Sequence, residues 1–234
     1  NNLGAGLQVP DGKYSTGDIT SSKESNTLIA FFGRVNYNYD NRYMLSASLR
    51  NEGSSRFGAN NKWGLFPAVS VGWTISRESF MANVNFIDEL KLRLGWGVTG
   101  NQGIGNYISL ERLGTSGVML YQGQWIPGYA PASNPNPDLR WEKKTETNLG
   151  IDAVLFNNLL TVTLDLYQRT TRDLLYQYTV PVPPNLYNTT WLNVGEMSNK
   201  GIEFSAKISP VKTRKFQWNV DFNISYNRNK LVSL

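Results

Sequence analysis

Residues 216–227 read Phe-Gln-Trp-Asn-Val-Asp-Phe-Asn-Ile-Ser-Tyr-Asn, an unbroken alternation. Phe216, Trp218, Val220, Phe222, Ile224 and Tyr226 are apolar, and Gln217, Asn219, Asp221, Asn223, Ser225 and Asn227 between them are polar. A period of two places the two sets on opposite faces of a β-strand. The run exceeds the about 5–6 residues of an ordinary strand and matches the about 9–11 tilted residues that cross a bilayer core. It predicts a membrane strand with one face in lipid and the other toward water.

Seven further segments carry the same pattern. They cover residues 27–39, 42–50, 62–76, 90–98, 139–156, 160–167 and 202–208. In the fourth, Leu90, Leu92, Leu94, Trp96 and Val98 oppose Lys91, Arg93 and Thr99; in the sixth, Leu160, Val162, Leu164 and Leu166 oppose Thr161, Thr163, Asp165 and Tyr167. The polar faces also carry Arg34, Arg50, Asp152, Glu203, Lys207 and Asp221. So many charges suit a wide wet lumen, whereas a small eight-stranded lumen would need them densely paired.

The connections fall into two groups. Residues 40–41, 77–89, 157–158 and 210–215 join strands at one end, with a helical turn expected around Phe80 to Val84. Residues 51–61, 100–138 and 180–190 join them at the other, with a short strand expected near Val118 to Tyr121. Turns at one end and longer loops at the other are the habit of outer-membrane barrels, whose long loops face outward. Aromatics gather near both ends: Tyr39, Tyr43, Trp73, Phe156, Phe216 and Trp218 at the turns, and Trp63, Trp96, Trp141 and Trp191 toward the loops. The expectation is a pair of interfacial girdles. The fold class is therefore all-β, an antiparallel up-and-down transmembrane β-barrel segment of about eight strands. Two other architectures share the dyad pattern. One is a soluble β-sandwich binding carbohydrate through exposed aromatics, and the other is a self-contained eight-stranded barrel.

Composition narrows the chemistry. Cysteine and histidine are both absent, which removes disulfides, thiolate metal sites and the commonest general base. No cofactor or metal is expected. The formal charge of +5 is spread without a basic tract, so nucleic acid is not an expected partner. Mean hydropathy is −0.37, which a barrel with a polar lumen face allows. The chain opens Asn1-Asn2-Leu3-Gly4 inside a polar Gly/Ser/Thr-rich stretch, read as a mature end or, preferably, a piece of a longer protein.

Several blocks resemble the SusC/RagA family of TonB-dependent outer-membrane transporters. They are Phe32-Gly33-Arg34-Val35-Asn36-Tyr37, Arg50-Asn51-Glu52-Gly53-Ser54-Ser55-Arg56-Phe57-Gly58 and Trp63-Gly64-Leu65-Phe66-Pro67-Ala68-Val69-Ser70-Val71-Gly72-Trp73. Gly97-Val98-Thr99-Gly100-Asn101-Gln102, Ile104-Gly105-Asn106-Tyr107, Asn136-Pro137-Asp138-Leu139-Arg140-Trp141-Glu142 and Asn193-Val194-Gly195-Glu196-Met197-Ser198-Asn199-Lys200-Gly201-Ile202-Glu203 follow in the family's order. The resemblance implies a barrel of about 22 strands, filled by a plug and capped by a SusD-like surface lipoprotein. It also implies import of glycans or peptides driven through TonB in a Gram-negative outer membrane. No plug or TonB-contacting segment is found, so the chain by itself is not expected to transport. Residues 1–26 read as an extracellular loop.

The candidate contacts for ligand or lid are the loop aromatics Tyr121, Trp125, Tyr129, Tyr187 and Trp191, whose flat rings can stack on sugars or pack on peptides. The blander reading is that they close the loops against each other. The candidate lipid-facing residues are Leu92, Leu94, Leu164, Val220, Phe222 and Ile224. Gly95-Trp96-Gly97-Val98-Thr99-Gly100 matches G-x-G-x-x-G but lies in a strand without a following helix, so it reads as small residues in a barrel wall. Asp138, Glu142 and Glu146 share a strand face, and Lys143 and Lys144 beside them mark a solvated rim rather than a glycosidase pair. No enzyme activity is expected.

Overall fold

The computed structural model describes residues 23–234. Its strands are β1 (Leu28–Tyr39), β2 (Tyr43–Ser54), β3 (Trp63–Thr74), β4 (Ile87–Asn101), β5 (Leu113–Tyr121), β6 (Gln124–Pro131), β7 (Glu142–Leu155), β8 (Leu160–Arg172), β9 (Leu175–Thr179), β10 (Thr189–Asn193), β11 (Glu196–Lys212) and β12 (Gln217–Ser233). Eight of them form one antiparallel sheet in chain order, β1-β2-β3-β4-β7-β8-β11-β12. The other four are two hairpins, β5 with β6 and β9 with β10, inserted into the loops. Residues 1–22 lie outside the described residues, so the extracellular loop expected over 1–26 is seen only from Lys23.

The eight expected strands are these eight. Strong alternation fixes each register, because a one-residue slip would turn every side chain over. The turn residues agree with the backbone they must adopt. Asp40 and Asn41 take φ of 52° and 50°, and Phe156, Asn157 and Asn158 take 58°, 55° and 61°. Asn and Asp enter this left-handed region more readily than other residues.

Four details differ from the sequence expectation. The connector holds two 3₁₀ turns, Ile75–Arg77 and Ser79–Met81, earlier than the helical turn expected around Phe80 to Val84. The single short strand near Val118 is a whole hairpin, since Pro127, Gly128 and Pro131 erase the alternation of β6. The β9–β10 hairpin was hidden in the Pro-rich loop because five residues are too few for a periodic signal. Finally, β7 begins at Glu142 rather than at 139, because Leu139 and Trp141 are buried elsewhere.

Neither alternative architecture survives. Among the described residues no second sheet faces the large one, and Leu94, Val220 and Phe222 are 49%, 39% and 54% exposed. A sandwich would have buried them together. Nor do β1 and β12 pair with each other, so the eight strands make an open sheet and not a closed small barrel.

Among the described residues the one buried cluster lies at the loop end, and it comprises Phe57, Phe66, Ile104, Leu139 and Trp141. Its position follows from a proline. The β3–β4 ladder runs from Thr74↔Lys91 to Ala68↔Gly97 and stops there. The next residue of β3 is Pro67, which has no N–H to give. Beyond it the strands part, and the cluster fills the wedge. Gly64 and Gly100 line that wedge, and a Cβ on Gly100 would lie 2.2 Å from Phe66 and 2.9 Å from the Trp141 ring.

Candidate functional site

The sheet has two unlike faces, and cross-strand rows define them. One polar row runs Asn38↔Met44↔Gly72↔Arg93↔Gly150↔Asp165↔Glu203↔Ser225. Arg93 reaches along it, its Nε donating to Asp152 at 2.6 Å and one Nη to Asp165 at 3.1 Å. Thr163 donates to the same Asp152 carboxylate at 3.2 Å. Gly150 is what lets Arg93 lie across the strand, because a Cβ there would sit 2.6 Å from the guanidinium carbon. Gly150→Ala is expected to push Arg93 off Asp165 and to cost about 1–3 kcal/mol by overpacking. Thermal unfolding in detergent against Gly95→Ala, whose Cβ meets nothing closer than 4.0 Å, measures the difference. Two rows away, Arg169 holds Glu146 through two N–H donors at 2.8 and 3.3 Å and lies 4.4 Å from the Tyr167 ring. The polar face also forms a groove of about 470 Å³ between Asn36, Ser46, Ser70, Arg93 and Asn148.

The opposite face is apolar, and its apolar band is slanted. On β1 the outward residues from Phe31 to Tyr39 carry the band, and on β12 those from Trp218 to Tyr226 do. Yet the row through Val35 continues Ala47↔Val69↔Trp96↔Thr147↔Gln168↔Lys200↔Arg228, so it starts apolar and ends polar. The band's centre moves from Val35 to Phe222, which lies six residues below Arg228 in that row. That is about 20 Å along the strands for about 34 Å across seven strand spacings, a slant of about 30°. Strands of outer-membrane barrels tilt about 35–45° from the axis, so a level band would cut them at a comparable slant. Of the six residues expected on this face, Leu94, Val220, Phe222 and Ile224 are exposed, and Leu92 and Leu164 are half-buried by their neighbours.

Aromatics cluster at the turn end of the apolar face. Tyr39 stacks near Tyr43 at 6.4 Å, and Phe86 near Phe156 at 6.1 Å. Glu78 ties the connector to this end. It accepts hydrogen bonds from the Tyr43 hydroxyl at 2.6 Å and from Trp73 Nε1 at 3.0 Å, with Arg42 3.7 Å away. The Tyr43 and Trp73 bonds, then the Arg42 charge, hold its carboxyl below the usual carboxylate range. A lowered folded value means the Glu78 contribution is complete above the ordinary value of 4.5 and is lost as pH falls through the folded one. The melting-temperature gap between wild type and Glu78→Gln is therefore expected to close as pH drops below about 4.5. A gap unchanged between pH 7 and 3 would contradict this.

At the loop end, asparagines bind the loops into one body. Asn134, buried, donates through Nδ2 to the carbonyls of Tyr187 (2.6 Å) and Thr189 (3.0 Å) and accepts from the N–H groups of Leu186 and Tyr187. Asn136 Nδ2 donates to the Trp191 carbonyl at 2.7 Å, and Asn193 Nδ2 to the Arg140 carbonyl at 2.7 Å. The candidate ring residues separate on this body. Trp191 packs on the buried cluster, and Tyr187 has a fixed backbone and a 41% exposed side chain. Tyr121, Trp125 and Tyr129 stand apart on the β5–β6 hairpin. Trp63 and Trp96 are exposed on the apolar face as expected of a girdle, but Trp141 is not: it is 2% exposed under the loops. Its Nε1–H explains why, since the Lys62 carbonyl accepts it at 2.9 Å inside the cluster.

The carboxylates do not converge. Asp138 accepts from Asn60, Glu142 from Asn101 and the Leu175 N–H, and Glu146 from Arg169. Glu142 and Glu146 are separated by about 13 Å of strand, beyond the about 6.5–9.5 Å of an inverting glycosidase pair. Among the described residues no three His, Cys, Asp or Glu side chains gather as a metal site.

An antiparallel sheet with one apolar and one charged face, and a knitted loop end, now has its counterpart. The family model for the TonB dependent receptor-like β-barrel matches residues 1–232. The chain belongs to the TonB-dependent receptor β-barrel family. The TonB-dependent receptor SusC of Bacteroides thetaiotaomicron is 39% identical over 218 residues, which is 92% of this chain and 22% of that protein. The RagAB peptide importer in its "open-open" state superposes with a TM-score of 0.82 at 32% identity, over 97% of this chain and 25% of that one. In its "closed-closed" state the TM-score is 0.78, over 88% and 22%. The chain thus spans about a fifth to a quarter of these relatives' length. The TonB-dependent receptors are an outer-membrane family of Gram-negative bacteria, and the SusC and RagA branch is the one this chain resembles.

Proposed function

We propose that the chain is a section of barrel wall, with its outer loops, in an active transporter of the outer membrane. In this reading the whole protein imports glycans or peptides, a SusD-like lipoprotein covers its outer mouth, and TonB acts through a plug domain. The chain is a transport component and catalyses nothing. The observation that carries the reading is the slanted, exposed apolar band opposite a face that holds the charges. Leu92, Leu94, Leu164, Val220, Phe222 and Ile224 then lie against acyl chains, residues 1–234 belong to a single barrel domain, and residues 1–26 lie outside the cell.

Spin labels placed singly on the full-length protein in liposomes test the wall. Labels at Leu94 and Phe222 are expected to be accessible to oxygen and shielded from a water-soluble nickel chelate, and labels at Gly95 and Asn223 the reverse. Equal nickel access at all four would refute it. Import is tested by deleting the gene and measuring growth on a peptide digest and on an oligosaccharide pool as sole carbon source. Growth lost on one pool and restored by the wild-type gene names the substrate class; growth unchanged on both would end the import reading.

A further inference from the structure

On the apolar face of β7, β8, β11 and β12 the character changes within one row. Leu149↔Leu166↔Ile202↔Tyr226 is the last apolar row toward the loop end. The next is Thr147↔Gln168↔Lys200↔Arg228, followed by Thr145↔Thr170↔Ser198↔Lys230 and then by Lys143↔Arg172↔Glu196. These three rows hold five cations, one carboxylate and no apolar side chain. At the turn end the same face of the same strands carries Leu155↔Leu160↔Ile208↔Val220, all aliphatic. On β1, β2 and β3 the face reaches the loop end as Ile29↔Gly53↔Trp63, without a charge. The basic patch thus belongs to one end of one half of the sheet.

Its charges repel one another. Lys200 is directly opposed to Arg228, and Lys143 to Arg172. Opposed like charges destabilise a sheet, because their Cβ atoms are only about 4.5–5.5 Å apart. Arg172 finds some relief, its Nε donating to Glu196 at 3.0 Å. Among the described residues no carboxylate lies within ion-pair distance of Lys143, Lys200, Arg228 or Lys230. All four are exposed. The patch therefore presents a surplus of positive charge, and the Thr and Ser hydroxyls with the Gln168 amide add further donors.

Arg228 stands six residues above Phe222, the centre of the band on β12. A strand tilted by about 40° rises about 15 Å over six residues, which is half of the about 30 Å hydrocarbon core. The patch therefore meets the membrane where acyl chains give way to headgroups. We propose that it is a seat for the phosphorylated headgroup of an outer-leaflet lipid, whose acyl chains lie on the apolar rows beneath. The inference rests on the outward loop end of the proposed function. Arg172 and Arg228 carry planar forks that can hold two phosphate oxygens at once, and Lys143, Lys200 and Lys230 act as point charges. A phosphate shared by Lys200 and Arg228 replaces their mutual repulsion by two attractions. A lipid-borne phosphate has the advantage over the free ion, because its chains cover the apolar rows in the same binding event.

The test titrates the full-length protein, stripped of lipid in a non-ionic detergent, with bis-phosphorylated lipid A, with the same lipid after phosphatase treatment, and with inorganic phosphate. Lipid A is expected to bind at least about 30-fold more tightly than its dephosphorylated form, and inorganic phosphate to displace it only at about 100-fold higher concentration or more. Lys200→Gln with Arg228→Gln should weaken lipid A binding about 30-fold. Lys144→Gln with Lys207→Gln, an equal loss of charge from the polar face, should stay within about 3-fold. Lipid A should raise the melting temperature of wild type and not that of Lys200→Gln with Arg228→Gln. Without lipid this double variant should melt no lower than wild type, since it sheds a repulsion. Equal affinity for the two forms of the lipid, displacement by equimolar phosphate, or wild-type binding by the double variant would each overturn the seat. Orientation is checked separately: a thiol at Ala59→Cys is expected to react with a bulky, impermeant maleimide on intact cells. An unreactive thiol would bring down the outward loop end of the proposed function, and a reactive one with phosphate-blind binding would bring down the lipid seat alone.

Discussion

Trp141→Ala is expected to destabilise the loop end by about 3–5 kcal/mol, the range for removing a buried Trp from a packed site. Its ring touches Phe57 at 4.8 Å and Phe66 at 5.3 Å, and Gly64 and Gly100 lie close enough that neither could carry a side chain. Because those glycines are backbone, the site cannot collapse onto the hole, which puts the cost in the upper part of the range. Trp141→Phe should cost less, keeping most of the packing but leaving the Lys62 carbonyl without its Nε1–H donor. The measurement is limited proteolysis with thermal unfolding of the full-length protein in detergent. Cleavage at residues 55–62 and 102–112 should accelerate while the strands stay protected. Equal proteolysis of wild type and Trp141→Ala would show that the cluster does not hold the loops.

Phe222→Arg is expected to cost about 2–4 kcal/mol in a bilayer, as charges do on the lipid face near the midplane. Phe222 is at the centre of the β12 band and 54% exposed. Asn223→Arg, one residue away on the polar face, should cost little. Refolding equilibria in liposomes separate the two, and the contrast should shrink in denaturant-free water-soluble conditions, where no acyl chains meet either residue. Equal costs for the pair in liposomes would mean that this face does not meet lipid.

The sheet was legible because its own physics is local. Alternation along β12 or β8 sets the faces, and Asp40, Asn41, Asn157 and Asn158 announce the turns in the residues that tolerate left-handed backbone. The loop end was not legible for the opposite reason: its determinants are distant in sequence. Asn134 meets Tyr187 across 53 positions, and Trp141 meets Lys62 across 79. No window along the chain contains both partners, so Trp141 read as one more interfacial ring. The signal that could have separated it from Trp63 and Trp96 is its company. Asn136, Pro137, Asp138 and Leu139 precede it without alternation, which places it before the strand and not within it. Glu78 was equally hidden, since nothing in residues 75–86 announces that Tyr43 and Trp73 converge on one carboxylate.

Among the described residues, β1 and β12 each leave one flank without a neighbour, over 12 and 17 residues. Every second residue there presents an N–H and a carbonyl to whatever comes next, and hydrocarbon answers neither. Cut loose from such neighbours, the two flanks are each other's nearest match: antiparallel, long and free of proline. Produced by itself, the chain should therefore stack flank to flank into fibrous ladders, giving thioflavin fluorescence and a 4.7–4.8 Å meridional reflection.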